Sequence, residues 1–157
     1  MVLTSTSFAE QGTVPARHAT RQVPGGENVS IPYEWSAAPA ATNSFALALV
    51  DRNPVAHNWV HWLVVDIPAD VTGLSEGASG SSAMPRGVRE LHSTFGTPAY
   101  GGPQPPVGTG LHDYEATLYA LDTTSLSLPD NATLAQFEAA VAPHALATAR
   151  LTGRFGR

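Results

Sequence analysis

Three stretches of the chain carry the apolar patterning expected of strands. Ser44-Phe-Ala-Leu-Ala-Leu-Val50 is a continuous apolar run bounded by turn residues and too short for a typical helix, so it predicts a central strand buried on both faces. Trp59-Val-His-Trp-Leu-Val-Val-Asp-Ile67, rich in β-branched and aromatic residues, predicts a second strand. Strict alternation would put Trp59, His61, Leu63 and Val65 on one of its faces. Tyr114 to Leu121 alternates as a third. Before them, Thr4 to Trp35 is irregular text for short edge strands and loops, since Pro32 cannot donate to a central ladder. Ser75 to Gly87, dominated by Gly, Ser and Ala, reads as a surface loop, and Arg89 to Gly96 as a short ordered stretch.

Toward the C-terminus the period changes from two to that of a helix. Thr133 and Gln136 form a capping box, and Leu134, Phe137 and Val141 recur at helical spacing. Pro143 should break this helix, with His144 to Ala149 resuming it for a turn or two and Arg150 to Phe155 returning as a short strand. Without internal repeats or a shift in composition, residues 1–157 read as one β-dominated α+β domain with its helices late in the chain.

Composition narrows the functional classes. At 157 residues the chain can bury roughly two thirds of its unfolded surface in one core. Hydrophobic residues at 43% against charged residues at 13% describe a folded rather than a disordered chain. Eight Lys and Arg against 13 Asp and Glu, a net charge of −5, leave no electrostatic footprint for nucleic acid. The absence of cysteine excludes disulfides, zinc–thiolate sites and cysteine nucleophiles. No segment approaches the roughly 20 apolar residues of a membrane span. The opening Met1-Val-Leu-Thr-Ser-Thr-Ser-Phe8 has no basic region or apolar core of a signal peptide, so a cytoplasmic protein is expected.

The stretch with most chemistry runs from Tyr100 to Asp122. Three prolines and four glycines between Gly101 and Gly110 form a stiff rim that leads into a strand, and His112 and Tyr114, two apart, project from one face of it. With Asp51 and His61 at the ends of the two earlier strands they form the candidate site. Imidazole and phenol can donate to an anion or an oxygen-rich head group, and Asp51 can hold a histidine in one tautomer. The same groups could perform general acid–base chemistry on a small metabolite, such as hydrolysis, proton transfer or cyclisation, so both readings stay open here.

Other motifs lead nowhere. His57 and His61 lack a third ligand nearby, so no metal site is expected. Gly77-Ala-Ser-Gly-Ser81 lacks the final glycine of a nucleophile elbow, and neither phosphate-loop pattern occurs, so no cofactor is expected. His18, His92 and His144 read as exposed or capping residues, His92 being nearest to the site in sequence.

At these motifs the chain resembles the phosphatidylethanolamine-binding protein family, the group that includes Raf kinase inhibitor protein and small bacterial homologues. Gly26-Glu-Asn-Val-Ser-Ile-Pro32 followed by Trp35 resembles the family's Asp-Gly-x-Asn-x-Ser-Pro-Pro-x-x-Trp segment, and Trp59-Val-His61 its Trp-x-His signature. Gly101-Gly-Pro-Gln-Pro-Pro-Val-Gly-Thr-Gly-Leu-His-Asp-Tyr114 resembles its Gly-Pro-x-Pro-Pro-x-Gly-x-Gly-x-His-x-Tyr motif. The resemblance implies a central antiparallel sheet flanked by a smaller sheet with C-terminal helices, and a pocket for phosphate-like anions. It places Asp51, His61, His112 and Tyr114 in that pocket, with Pro54, His57, Tyr100, Gly102 and Pro105 around it. A homodimer is compatible with it, and kinase inhibition is carried by no motif here. Where the family has Asp-Pro-Asp-Ala-Pro, this chain has Asp51-Arg-Asn-Pro-Val55. That exchange would favour anions if Arg52 faced inward.

Overall fold

A computed structural model describes residues 1–157. Its strands are β1 (Val2–Thr4), β2 (Tyr33–Ser36), β3 (Ser44–Asp51), β4 (Trp59–Pro68), β5 (Gly73–Leu74), β6 (Arg89–Leu91), β7 (His112–Leu121) and β8 (Ala145–Phe155), with one α-helix, α1 (Leu134–Val141). A small sheet runs in the order β1-β2-β5 and a five-stranded sheet in the order β6-β4-β3-β7-β8, every named pair antiparallel. The two long apolar runs pair with each other as β3 and β4, and β3 lies at the centre of the large sheet with every residue buried.

That sheet is covered on both faces, which is why β3 is apolar without alternation. On one side Phe45, Leu47 and Leu49 of β3 and Ala116, Leu118 and Ala120 of β7 join Tyr33 and Trp35 of the small sheet in the main core. On the other side Ala46, Ala48 and Val50 pack with Leu63, Val65 and the buried face of α1, Phe137 and Val141. Full burial of the leucine, valine and phenylalanine side chains among these contributes about 1.5–3 kcal/mol each. The capping box forms as expected: the Gln136 amide donates to Thr133 Oγ1 at 3.2 Å and the Thr133 amide to Gln136 Oε1 at 2.9 Å.

Three expectations are corrected. Ala145 to Ala149 is not helical; after a single 3-10 turn at Ala142–His144 the chain enters β8, an 11-residue strand paired with β7 over its whole length. Ala and Leu favour a helix in isolation, but the open edge of β7 supplies backbone partners that outweigh that weak preference. The face shared by Trp59, His61, Leu63 and Val65 is also broken. Val50 lies opposite Val60 and Leu49 opposite Trp62, leaving His61 as the extra residue of a β-bulge. The bulge turns His61 toward the main-core side, where its ring lies 5.1 Å from that of Tyr114, while Leu63 and Val65 pack on the other face. Finally His18, read as an exposed or capping residue, is fully buried, with Nδ1 2.8 Å from Val29 O and Nε2 3.0 Å from Ser7 Oγ.

Candidate functional site

The site forms where β3, β4 and β7 end together. Asp51, the last residue of β3, lies opposite Tyr114 of β7 on one side and Trp59 of β4 on the other. Because alternation is intact along β7, His112 projects beside Tyr114, their rings stacked at 6.3 Å between centroids. The bulge brings His61 to the same corner. All four side chains are nearly buried: Asp51 3%, His61 3%, His112 0% and Tyr114 1% exposed.

Their hydrogen bonds divide them into two kinds. His112 donates from Nδ1 to Asp51 Oδ2 at 2.6 Å, and Thr109 Oγ1 lies 2.9 Å from its Nε2, so both ring nitrogens are engaged within the protein. The second oxygen of Asp51 accepts the Asn53 amide at 2.9 Å. His61 donates from Nδ1 to Gly101 O at 2.6 Å, which leaves its Nε2 without a protein partner. The Tyr114 hydroxyl is buried against Asp51 but forms no well-aligned hydrogen bond to it or to any other group. Burial pushes the His61 pKa down to about 4, outweighing the Gly101 carbonyl and the Asp51 charge that favour the imidazolium. The ring is therefore neutral near pH 7, and with its proton on Nδ1 the free Nε2 is an acceptor. Burial first, and the Asp51 charge second, hold the Tyr114 phenol far above its ordinary value, so it remains a donor.

Above this floor stands a cavity of about 460 Å³ with apolar walls: Val55, Ala56, Trp59, Phe95, Pro105 and Pro106, joined by Gln104. Trp59 and Phe95 meet edge to face at 5.4 Å. The far rim is anchored by Arg157, whose Nε donates to Pro105 O and whose carbonyl accepts the Gly108 amide at 3.0 Å.

Of the residues marked in the sequence, Asp51, His61, His112, Tyr114 and Pro105 line this one cavity; Pro54, His57, Tyr100 and Gly102 do not. His57 is an exposed residue in the left-handed region at φ 50° that ends the 3-10 turn Pro54–Ala56. Tyr100 and Gly102 lie just behind the wall: the Tyr100 hydroxyl donates to His18 O at 2.9 Å, and the Gly102 amide to Asn28 Oδ1 at 2.8 Å. Arg52 does not face inward. Its guanidinium bonds Glu115 Oε1 at 3.1 Å and Asn58 Oδ1 at 3.0 Å on the outer side, so it brings no positive charge to the floor. Asn53 serves the loop, its side chain accepting the Val55 amide at 3.1 Å. His92 does not reach the cavity, and His144 pairs with Asp122 at 2.8 Å near the surface.

The walls carry a weaker sequence signal than the floor. Trp59 could have been placed beside His61 from their spacing in the Trp-x-His segment. Val55, Ala56, Phe95, Gln104 and Pro106 sit in loops whose course no local pattern sets, and Phe95 reaches the site only because Gly101 has no side chain. Its ring carbons occupy the space where a Cβ at 101 would stand, the nearest 2.2 Å away.

A model of the phosphatidylethanolamine-binding protein family matches residues 4–156. The chain belongs to this family. Its relatives include a UPF0098 protein of Methanothermobacter thermautotrophicus, 35% identical, with 100% of this chain and 99% of that protein aligned. The UPF0098 protein YbhB of Escherichia coli is also 35% identical, with 99% of each chain covered. A putative lipoprotein, LppC, of Mycobacterium tuberculosis is 37% identical over 99% of this chain and 72% of that protein. The crystal structure of Escherichia coli YbcL, described as a member of the mammalian PEBP family, superposes with a TM-score of 0.91 at 29% identity, covering 99% of this chain and 98% of that one. The two antiparallel sheets and single α-helix are thus the family's fold. No helix of the chain is long and apolar enough to cross a membrane.

Proposed function

We propose that the cavity binds a small anionic or phosphorylated ligand by its head group, and that the protein is a binding module, with a regulatory role, rather than a catalyst. Membership of the phosphatidylethanolamine-binding protein family supports small-ligand binding. The observation that carries the finer reading is the Tyr114 hydroxyl, buried without a well-aligned hydrogen bond, on a ring 5.1 Å from that of His61, whose Nε2 has no protein partner. Buried polar groups are rarely left unpaired, and an orphan at the floor of a cavity marks where a ligand atom completes the network. One donor and one acceptor on adjoining rings fit a phosphate monoester monoanion. Tyr114 donates to a phosphoryl oxygen, and the remaining P–O–H donates to His61. His112 and Asp51 act through position, keeping the floor rigid.

The alternative, acid–base or nucleophilic chemistry, has one observation in its favour: Thr109 Oγ1, His112 and Asp51 form a chain with the spacing of a nucleophile, base and orienting carboxylate. Two features weigh against it. Thr109 has one hydroxyl hydrogen and two acceptors in reach, Pro106 O at 2.7 Å and His112 Nε2 at 2.9 Å, and it does not line the cavity. His61, with a pKa pushed down to about 4, is a weak base at neutral pH.

Calorimetric titration with inorganic phosphate and simple phosphate monoesters tests the proposal. Saturable 1:1 binding, lost in His112→Ala, is expected; unchanged affinity in that variant would sink it, as would turnover of the esters. The same reading takes the protein to be cytoplasmic and compatible with a homodimer, which cell fractionation and sedimentation test.

A further inference from the structure

From the walls of the same cavity we infer that its ligand is a free small molecule whose acidic head carries a flat, aromatic body. The inference rests on the head-group reading above and extends it from the floor to the walls.

Size is the first argument. A cavity of about 460 Å³ is in the range of sites that enclose whole drug-sized ligands. An inorganic phosphate fills only a few of the water volumes, about 30 Å³ each, that such a space holds. A head group seated on Tyr114 and His61 therefore leaves most of the cavity for something attached to it.

The chemistry of the walls says what that is. The chain has seven exposed large hydrophobic residues: Val2, Val55, Trp59, Phe95, Val107, Leu111 and Leu146. Three of them, Val55, Trp59 and Phe95, line this cavity, while Val107 and Leu111 adjoin its lining residues Pro106 and His112 in sequence. Trp59 and Phe95 are each 38% exposed. No arginine or lysine lines the space, and the guanidinium of Arg157 at its rim is tied to Pro105 O.

Rigidity favours a planar body over a flexible chain. The walls are built largely of rings: the indole of Trp59, the phenyl of Phe95 and the pyrrolidines of Pro105 and Pro106. Phe95 packs edge to face on Trp59 at 5.4 Å and on His61 at 5.6 Å, and its ring is seated on the bare backbone of Gly101. A ring held from three sides keeps a fixed surface in the empty cavity. Aromatic pairs gain about 0.5–1.5 kcal/mol beyond their buried area, which separates an aryl group from a saturated ring of similar size.

The test compares four probes by calorimetry: inorganic phosphate, butyl phosphate, cyclohexyl phosphate and phenyl phosphate. Phenyl phosphate should bind about tenfold tighter than cyclohexyl phosphate, consistent with the upper end of that aromatic increment. Trp59→Ala and Phe95→Ala should each remove most of that preference, read as the ratio of the two affinities within one variant so that any change in head-group affinity cancels; Phe95→Leu, which keeps apolar bulk without the ring, should lose the preference as Phe95→Ala does. Thermal melts confirm that the variants are folded. Phenyl phosphate binding no tighter than cyclohexyl phosphate, while phosphate itself binds, overturns the aromatic body alone. If none of the four probes binds, the head-group reading falls and this inference with it.

Discussion

Tyr114→Phe should make the empty protein more stable and the ligand weaker, two effects of opposite sign from one oxygen atom. In the empty site the hydroxyl is buried against Asp51 without a well-aligned hydrogen bond. Leaving a polar group unsatisfied in the interior costs about 1–3 kcal/mol, and phenylalanine keeps the ring, its stacking on His112 and its edge contact with His61. A small loss for the void left by the oxygen brings the expected net gain to about 1 kcal/mol. In a domain of this length that raises the melting temperature by about 2–4 °C. Binding should move the other way. A hydrogen bond to a charged head group contributes about 1.5–3 kcal/mol, so affinity for a phosphate monoester should fall about ten- to hundredfold. Urea unfolding without ligand and calorimetry with ligand give both numbers. A variant destabilised by more than about 1 kcal/mol would mean that the hydroxyl is satisfied within the protein, and unaltered affinity would mean that no ligand uses it.

Two further expectations concern the frame around the site. Burial holds His61 at a pKa of about 4 against an ordinary 6.5. The unfolded chain therefore takes up a proton below pH 6.5 that the folded ring refuses, so this contribution to stability is intact above 6.5 and is lost as pH falls toward 4. The shift corresponds to about 3 kcal/mol. Buried His18 is lowered by desolvation too and adds to the same slope. Urea midpoints at pH 7 and pH 4.5 should show a smaller acid loss in His61→Gln than in the parent; equal losses would contradict the assignment. Gly102→Ala should be severe, because its Cβ would stand 2.0 Å from His18 O and 2.8 Å from the Thr20 amide nitrogen, both backbone atoms with no room to yield. Gly96→Ala, in open space at φ +83°, should cost only the left-handed strain of about 1–2 kcal/mol. Similar melting temperatures for the two variants would refute the difference.

The parts of this protein that could be read from its sequence are those whose signal is local. The apolar run of β3, the β-branched run of β4 and the capping box at Thr133 each carry their reason within a few residues. His112 and Tyr114 share a face because alternation along β7 is uninterrupted. The same rule misplaced Leu63 and Val65 relative to His61, because one inserted residue changes the phase and no composition marks a bulge. Ala145 to Ala149 became strand through the long-range edge of β7, which no local propensity records. Arg52 lies one residue from Asp51 yet belongs to the opposite face with Glu115, so a charge change beside the site in sequence is not a charge change in the site. Phe95 depends on the missing side chain of Gly101, a contact between two loops.

The claim that the floor offers one donor and one free acceptor to an anionic head is tested most directly by the imidazole nitrogen spectrum of histidine-labelled protein at pH 7, recorded before and after addition of phosphate. His61 should start as the neutral Nδ1–H tautomer with a bare Nε2, and phosphate should shift that Nε2 while His18 stays where it was. A ring that begins with its proton on Nε2, or an Nε2 signal unmoved at saturating phosphate, would contradict it.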